Sequence, residues 1–168
     1  MQRKEGVEKM LAEVSQANDK VIVTMHRKLQ HRVEEVWDML TENEQLAKWF
    51  PEMQVEQLKE GGKIKLAFHT GGKEEMTITS LAVPTVLEYT WGQDLVRFDL
   101  TQTDYGTHLL FTETLQQVTE QTPKDIAGWH ICLDAIEALL DKRELSDPHQ
   151  TWEKAYADYK RVFDDFEK

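Results

Sequence analysis

The most informative pattern in this chain is an apolar stripe on one short helix, followed at once by two large aromatic residues. The stripe repeats at i, i+3, i+4 and i+7, on one face of a helix, and consists of Val33, Val36, Trp37 and Leu40. A second short helical segment, from Glu44 to about Lys48, brings Trp49 and Phe50 to the same side, and Pro51 then forces the chain into an extended conformation. This apolar surface needs a large concave partner to cover it.

The rest of the chain predicts that partner as an antiparallel sheet. The predicted strands span about 20–29, 53–58, 63–69, 76–83, 86–91, 95–103 and 107–115. The connections between the later strands carry turn residues, such as Gly61-Gly62 and Gly92-Gln93. They are too short for the crossover of about a dozen residues that a parallel pair requires. These strands are therefore expected to form a meander.

Alternation along these strands gives the sheet one apolar face and one polar face. The apolar face is predicted to carry Ile64, Leu66, Phe68, Met76, Ile78, Leu87, Tyr89, Trp91, Val96, Phe98 and Leu100. The opposite face is predicted to carry Lys63, Lys65, Glu75, Thr77, Glu88, Arg97 and Asp99. A sheet of this kind buries its apolar face against a second layer.

A long helix after the last strand is predicted to supply that layer. It begins at Thr122, with Pro123 in the first turn and Asp125 near the positive end of the helix, and runs to about Lys142. Its buried stripe is predicted to be Ile126, Trp129, Leu133, Ile136 and Leu140. Gly128 costs about 1 kcal/mol relative to Ala inside a helix, so we expect it to permit the close approach of another backbone.

Two further helices are predicted at the ends of a single domain that spans residues 1–168. The first, about 5–16 within an N-terminal segment 1–18, carries Val7, Met10, Leu11 and Val14 on one face. The second lies in a C-terminal extension, 147–168, and carries Trp152, Tyr156, Tyr159 and Phe163. Each stripe can pack on the helix-and-sheet core, 20–142, or form the contact of a homodimer.

Composition narrows the classes of partner. The chain has 20 basic and 31 acidic residues, a net charge of −11, which disfavours nucleic acid and anionic lipid surfaces. The single Cys132 excludes an internal disulfide and fits a reducing cytoplasm. No stretch is long and apolar enough for a membrane span or a signal peptide. The six His residues lack metal-ligand spacing, so we expect no metal and no cofactor.

Four local strings, in this order, resemble one protein family. They are Val36-Trp37-Asp38-Met39-Leu40-Thr41 with Lys48-Trp49-Phe50-Pro51, Leu87-Glu88-Tyr89-Thr90-Trp91-Gly92, Phe111-Thr112-Glu113-Thr114-Leu115, and Gly128-Trp129-His130 with Leu133. They resemble the C-terminal domain of the activator of the heat-shock protein 90 ATPase, within the START-like (SRPBCC) superfamily. The resemblance implies an α+β helix-grip fold, in which a curved antiparallel sheet wraps a long C-terminal helix. Relatives include lipid carriers, hormone receptors and polyketide cyclases.

In such a fold, apolar residues between the sheet and the long helix can line a cavity. We therefore expect an internal cavity that binds a small hydrophobic or amphipathic molecule, since apolar pockets with a few polar groups are common ligand sites. The expected lining residues are Trp49, Phe50, Phe68, Met76, Ile78, Trp91, Phe98, Phe111, Trp129 and Leu133. The same residues could simply form a packed core. In that case the alternative is a stress-response or co-chaperone-like interaction module that uses its acidic outer face.

Two residues are candidates for a third function, that of a cyclase- or hydrolase-like enzyme. Glu113 shares strand parity with Phe111 and Leu115, so it can point inward, where burial would raise its pKa. His130 follows Trp129 at the start of the long helix and can face the mouth of a cavity. A solvated Glu113 and a structural His130 are the alternatives. No nucleophile–base pair is evident from spacing.

Overall fold

Eight antiparallel strands form one sheet in the computed structural model, which describes residues 11–68, 71–145 and 147–167. The order across the sheet is β1-β2-β8-β7-β6-β5-β4-β3. The strands are β1 (Glu13–Ala17), β2 (Lys20–Leu29), β3 (Met53–Val55), β4 (Lys63–Ala67), β5 (Lys73–Ala82), β6 (Val86–Trp91), β7 (Asp94–Thr103) and β8 (Gly106–Leu115). The predicted meander and the α+β class are confirmed.

The tight connection between β6 and β7 shows how turn residues shape one end of the sheet. Trp91 pairs with Asp94, which leaves Gly92 and Gln93 as a two-residue loop. Gly92 has a φ of 64°, in the left-handed region that two-residue hairpin loops require. This loop ends β6 directly after Trp91, so the Trp91 ring lies at the end of the strand.

The two faces of the sheet differ as the alternation predicts. On the inner face, residues such as Met76, Leu87, Val96 and Phe98 are at most 1% exposed. Phe68 differs from the prediction, since it lies beyond the end of β4 and is 44% exposed. The outer face is not uniformly acidic, because Arg97 pairs with two carboxylates, Asp99 at 2.9 Å and Glu88 at 3.5 Å.

The two short helices after β2 are α1 (Val33–Thr41) and α2 (Asn43–Leu46). The stripe predicted for α1 is buried as a whole. Trp49 follows α2, and its indole Nε1–H donates to the Met39 carbonyl oxygen at 2.7 Å. This bond satisfies the polar atom of a buried Trp and fixes the segment that carries Phe50.

The long helix α3 (Thr122–Leu140) lies on the inner face of the sheet and buries Ile126, Trp129, Leu133 and Ile136. Helix α4 (Pro148–Phe166) packs on α3 and buries Ala155, Tyr159 and Phe163. The C-terminal stripe thus packs on its own chain at Tyr159 and Phe163, whereas Trp152 and Tyr156 are half-buried and stack with ring centroids 5.3 Å apart.

The predicted N-terminal helix is wrong where the structure describes it. Glu13–Ala17 is a strand that pairs antiparallel with β2, with Val14 opposite Val23. Without it, β2 would be an edge strand with unpaired backbone groups, and this need outweighs the helical spacing of so few residues. The remainder of the predicted helix, before residue 11, lies outside the described residues.

Candidate functional site

Two neighbouring clefts open where the start of α3 meets the ends of the strands. The first, called the strand cleft here, has a volume of about 540 Å³ and is lined by Leu66, Phe68, Glu74, Met76, Trp91, Gly92, Gln93, Asp94, Leu115, Gln116, Gln117, Thr119, Gln121, Thr122 and Asp125. The second, the helix cleft, has a volume of about 470 Å³ and is lined by Trp49, Phe50, Glu52, Trp91, Gln121, Lys124, Asp125, Gly128, Trp129, Cys132 and Trp152. Trp91, Gln121 and Asp125 belong to both.

Three aromatic rings form one wall of the helix cleft. Trp91 and Trp129 lie with ring centroids 5.0 Å apart, Phe50 and Trp91 at 6.1 Å, and Phe50 and Trp129 at 6.2 Å. The rings come from the segment after α2, from the end of β6 and from α3, so three parts of the chain must be in place to build this wall. Phe50 and Trp91 are half-buried and can contact a ligand, whereas Trp129 is buried against them.

The middle of the sheet–helix interface is packed rather than hollow. Phe111 lies 5.1 Å from Trp129 and 5.4 Å from Phe98, measured between ring centroids, and the side chains are at most 2% exposed. These large rings fill the space in which the sequence led us to expect an enclosed cavity. The candidate ligand space therefore lies at one end of the interface and opens to the surface.

The absence of a side chain at Gly128 helps to keep the helix cleft open. A Cβ built on Gly128 would meet no atom within 4 Å outside its own helix neighbourhood. The expectation that this glycine permits close backbone packing is therefore wrong. Instead, the missing side chain leaves space in the wall of the cleft, at the cost of a glycine inside a helix.

The structure divides the predicted binding residues into two groups. Six of them line the clefts: Phe68 and Met76 line the strand cleft, Trp49, Phe50 and Trp129 line the helix cleft, and Trp91 lines both. The other four predicted residues lie in the buried core and line neither cleft: Ile78, Phe98, Phe111 and Leu133.

Sequence reasoning missed the role of Asp125. The residue was interpreted only as a charge at the helix start, although it lies one turn before Trp129, on the same helix face. Its Oδ1 accepts a hydrogen bond of 3.2 Å from Trp91 Nε1–H, and the side chain lines both clefts. Burial raises the pKa of Asp125, while hydrogen bonds with Glu113 and from Trp91 oppose this shift.

Glu113 points inward, and the solvated alternative is wrong. Its side chain is fully buried on β8 beside Asp125, and once protonated it can donate a hydrogen bond to the Asp125 carboxylate. Burial, and then the negative charge of nearby Asp125, raise the pKa of Glu113 to about 10, so the carboxyl group is protonated at neutral pH. Glu113 points inward, as the enzyme hypothesis requires of a candidate acid or base, but it is not among the residues that line either cleft.

Trp129 carries a buried polar atom without a partner. The side chain is 2% exposed and lines the helix cleft, yet its indole Nε1–H makes no hydrogen bond. A buried donor left in this way costs about 1–3 kcal/mol, and a water molecule or a ligand atom in the cleft would satisfy it.

His130 faces away from the clefts, so its placement at a cavity mouth is wrong. Its Nδ1 lies 2.7 Å from the Tyr159 hydroxyl of α4, and its Nε2 lies 3.6 Å from Asp134. Burial and the charge of Arg27 lower the pKa of His130 to about 4. The Tyr159 oxygen also accepts from Ala12 N–H, so one buried hydroxyl group links the residue before β1 to α3 and α4. These contacts place His130 in the interface between α3 and α4.

Cys132 also lines the helix cleft, but burial raises its pKa to about 12, so the thiol stays protonated at neutral pH. A thiolate nucleophile is therefore not available there. Among the described residues, no group of three or more His, Cys, Asp or Glu side chains is placed to hold a metal ion. None of the helices in the same part of the chain combines the length and apolar character needed to cross a membrane.

The family model of Activator of Hsp90 ATPase homolog 1-like proteins matches residues 30–141. The chain belongs to this family. The match begins directly after β2 and ends one residue after α3, so it contains α1, the meander and the helix that carries the cleft residues. The resemblance seen in the four sequence strings is confirmed.

Solved structures show the same fold as this Activator of Hsp90 ATPase homolog 1-like chain. A conserved protein of unknown function from Enterococcus faecalis is 25% identical, with a TM-score of 0.78, and the match covers 93% of this chain and 94% of that one. A protein from Mesorhizobium loti is 24% identical, with a TM-score of 0.64, over 74% of this chain and 99% of that one. CalU16 from Micromonospora echinospora is 18% identical, with a TM-score of 0.67, over 90% and 97%.

The first of these matches extends beyond the family segment into the terminal elements, because it covers nearly the whole chain. No curated protein matches the chain at a significant level. Activator of Hsp90 ATPase homolog 1-like and START-like proteins commonly bind hydrophobic ligands or act as co-chaperones. The choice between these two activities depends on the site itself.

Proposed function

We propose that the protein binds a small hydrophobic or amphipathic molecule in the joined strand and helix clefts. The observation that carries the proposal is the aromatic wall of the helix cleft, in which the half-buried rings of Phe50 and Trp91 border open space and Trp129 is buried against them. The clefts combine this wall with a few polar groups, as ligand sites usually do. The ligand-binding role of Trp49, Phe68 and Met76 belongs to the same proposal.

Gly128 and the Trp129 indole support the proposal independently of the cleft volumes. A glycine that nothing packs against costs about 1 kcal/mol in a helix, and a buried indole N–H without a partner adds to that cost. Both features lie in the wall of the helix cleft. A molecule bound there would cover the open wall beside Gly128 and bring acceptor atoms to the indole.

Apolar contacts alone do not reach micromolar affinity in a site of this size. A ligand that buries roughly 300 Å² of apolar surface gains about 7 kcal/mol at about 25 cal/mol per Å², before the cost of association is subtracted. Micromolar affinity requires about 8 kcal/mol, so polar contacts must add to the apolar gain. The clefts provide such contacts through Gln121 and Asp125.

Titration with N-phenyl-1-naphthylamine, an uncharged fluorescent probe at neutral pH, tests the proposal. Saturable binding is expected for the wild type, and Gly128→Leu should weaken it at least ~10-fold, because the new side chain fills the open space of the helix cleft. Ala135→Leu is the matched control, since Ala135 lies two turns further along α3, outside both clefts.

Two outcomes would contradict the proposal. One is the absence of any saturable binding by the wild type. The other is equal affinity of the wild type and Gly128→Leu, which would place the bound probe elsewhere. Circular dichroism of each variant shows whether the fold is retained.

The packed interior favours a second candidate, a co-chaperone-like interaction module. This hypothesis expects a solid core, and the ring packing of Phe98, Phe111 and Trp129 agrees with it. The test is the ATPase rate of purified heat-shock protein 90 with increasing amounts of this chain. A saturable change in that rate supports the candidate, and an unchanged rate without complex formation removes it.

A further inference from the structure

The outer face of the sheet brings together two histidines that are 82 positions apart in the chain. His26 of β2 and His108 of β8 lie on neighbouring strands, and His26 Nδ1 is 2.9 Å from His108 Nε2. Their rings are nearly parallel, with an interplanar angle of 9° and centroids 5.1 Å apart. Spacing along the chain could not reveal this pair, because the pairing of β2 with β8 creates it.

Solvent and small ions can reach this pair of rings. The His26 side chain is 47% exposed, and His108 is half-buried beside it. The Glu13 carboxylate of β1 lies 3.9 Å from His26 Nε2. Its negative charge favours the proton on that nitrogen, which leaves the lone pair of His26 Nδ1 to accept a hydrogen bond from His108 Nε2–H. Carboxylates commonly set the tautomer of metal-binding histidines from this side of the ring.

The distance between the two nitrogens matches that between neighbouring ligands of one metal ion. Bonds from a metal to imidazole are about 2.0–2.1 Å long, so two nitrogens bound at a right angle lie about 2.9 Å apart, whereas a tetrahedral ion needs about 3.3 Å. Right angles are typical of Cu²⁺ and Ni²⁺ sites with nitrogen and oxygen ligands. The 2.9 Å contact of His26 with His108 therefore favours these ions over Zn²⁺.

The charges around the pair also bear on metal binding. Burial, and then the neighbouring His26 and Lys28, lower the pKa of His108, so its ring is neutral at pH 7 and can bind a metal ion. Lys28 lies opposite His108 in the strand register, and its ammonium lies 5.9 Å from the centroid of the Tyr105 ring. The positive charge of Lys28 opposes a second cation nearby, and this effect can be measured.

We propose that His26 and His108 form a binding site for Ni²⁺ or Cu²⁺ on the outer face of the sheet. The ion binds His26 Nδ1 and His108 Nε2, and water molecules complete its coordination. Binding replaces the hydrogen bond between the rings: His108 Nε2 gives up its proton, Nδ1 of the same ring takes one up, and both rings stay neutral. The inference does not depend on the proposed function, because neither histidine lines a cleft.

Isothermal titration calorimetry with NiCl₂, in a weakly coordinating buffer at neutral pH, tests the site. The wild type should bind the ion saturably, and His26→Ala and His108→Ala should each weaken this binding at least ~10-fold, because one imidazole remains. His149→Ala is the matched control and should leave the affinity unchanged. His149 is also an exposed histidine beside a carboxylate, 3.0 Å from that of Glu153.

Two further measurements place the ion between the two rings. A small amount of Cu²⁺, which is paramagnetic, should broaden the NMR signals of the His26 and His108 rings before those of the other histidines. Lys28→Gln should raise the affinity for Ni²⁺ about 2-fold, because it removes a positive charge beside the site. Lys20→Gln removes the same charge at the other end of β2 and should change the affinity less.

Three results would overturn the inference. Absence of saturable Ni²⁺ and Cu²⁺ binding would show that the pair forms only a hydrogen bond. Equal Ni²⁺ affinity of the wild type and both alanine variants would place the ion elsewhere. Tighter binding of Zn²⁺ than of Ni²⁺ would contradict right-angle coordination. Circular dichroism checks the fold of each variant, and His26→Gln and His108→Gln replace an alanine variant that does not fold.

Discussion

A single carboxyl group dominates the electrostatics of the interior. Glu113 is fully buried on β8 beside Asp125, and burial is the main cause that raises its pKa from 4.5 to about 10. The unfolded chain loses this proton near the ordinary carboxyl pKa, whereas the folded protein keeps it. Between these two values the unfolded state binds fewer protons, so stability falls as pH rises.

Glu113→Gln should remove this pH dependence. The variant is expected to match the wild type near pH 5 and to exceed its free energy of unfolding by about 1–3 kcal/mol at pH 8, since the amide needs no proton to remain neutral. Urea unfolding at both pH values measures the difference. Glu75→Gln, on an exposed position of β5, is the control. The same unfolding profile in Glu113→Gln and wild type would contradict the assignment.

Gly128 provides a prediction in which stability and binding change in opposite directions. Gly128→Ala should raise the free energy of unfolding by about 0.5–1 kcal/mol, because alanine favours the helix and its Cβ meets no neighbour. The same methyl group reduces the space of the helix cleft, so affinity for N-phenyl-1-naphthylamine should fall modestly. A loss of stability would show that Gly128 is packed against a neighbour.

Among the elements, the contact between α3 and α4 depends on one buried hydroxyl group. The Tyr159 oxygen accepts from Ala12 N–H at 2.9 Å and lies 2.7 Å from His130 Nδ1. Tyr159→Phe should lower the free energy of unfolding by about 1–3 kcal/mol, because both partners stay buried without it. Tyr156→Phe, on the half-buried side of α4, should change it far less. Equal effects of the two substitutions in chemical denaturation would contradict this account.

The same contact should weaken in acid. Burial lowers the pKa of His130 from 6.5 to about 4. Between these two pH values the unfolded chain binds a proton at His130 and the folded protein does not. This contribution to stability is present above pH 6.5 and is lost as pH falls towards 4. His130→Asn, which keeps an acceptor for Tyr159, should flatten the decline in melting temperature over this interval. An unchanged decline would assign it to other groups.

At the scale of the whole molecule, sequence periodicity predicted most of the helices and strands, but it did not predict where the interior is packed and where it is open. The stripe of α1, the alternation of the meander and the Pro123 helix start are local signals, and the structure agrees with them. The strand Glu13–Ala17 could not be predicted from its own residues, because its pairing depends on the distant edge of β2.

The site was predictable only in part for a related reason. Trp91 and Trp129 were both expected to line one cavity, and their rings lie 5.0 Å apart. Whether the rings leave a hollow depends on their orientations, which no spacing rule contains. Asp125 was missed because its cleft appears only when β6 and α3 are brought together.

The most direct test of the central claim is an NMR titration that follows the indole N–H signals during addition of N-phenyl-1-naphthylamine. The account predicts saturable shifts for Trp91 and Trp129, which line the clefts, and an unchanged signal for Trp37, which is buried in α1 away from them. Trp→Phe variants assign the signals. Absence of any shift for Trp91 and Trp129, or a shift confined to Trp37, would contradict ligand binding at the start of α3.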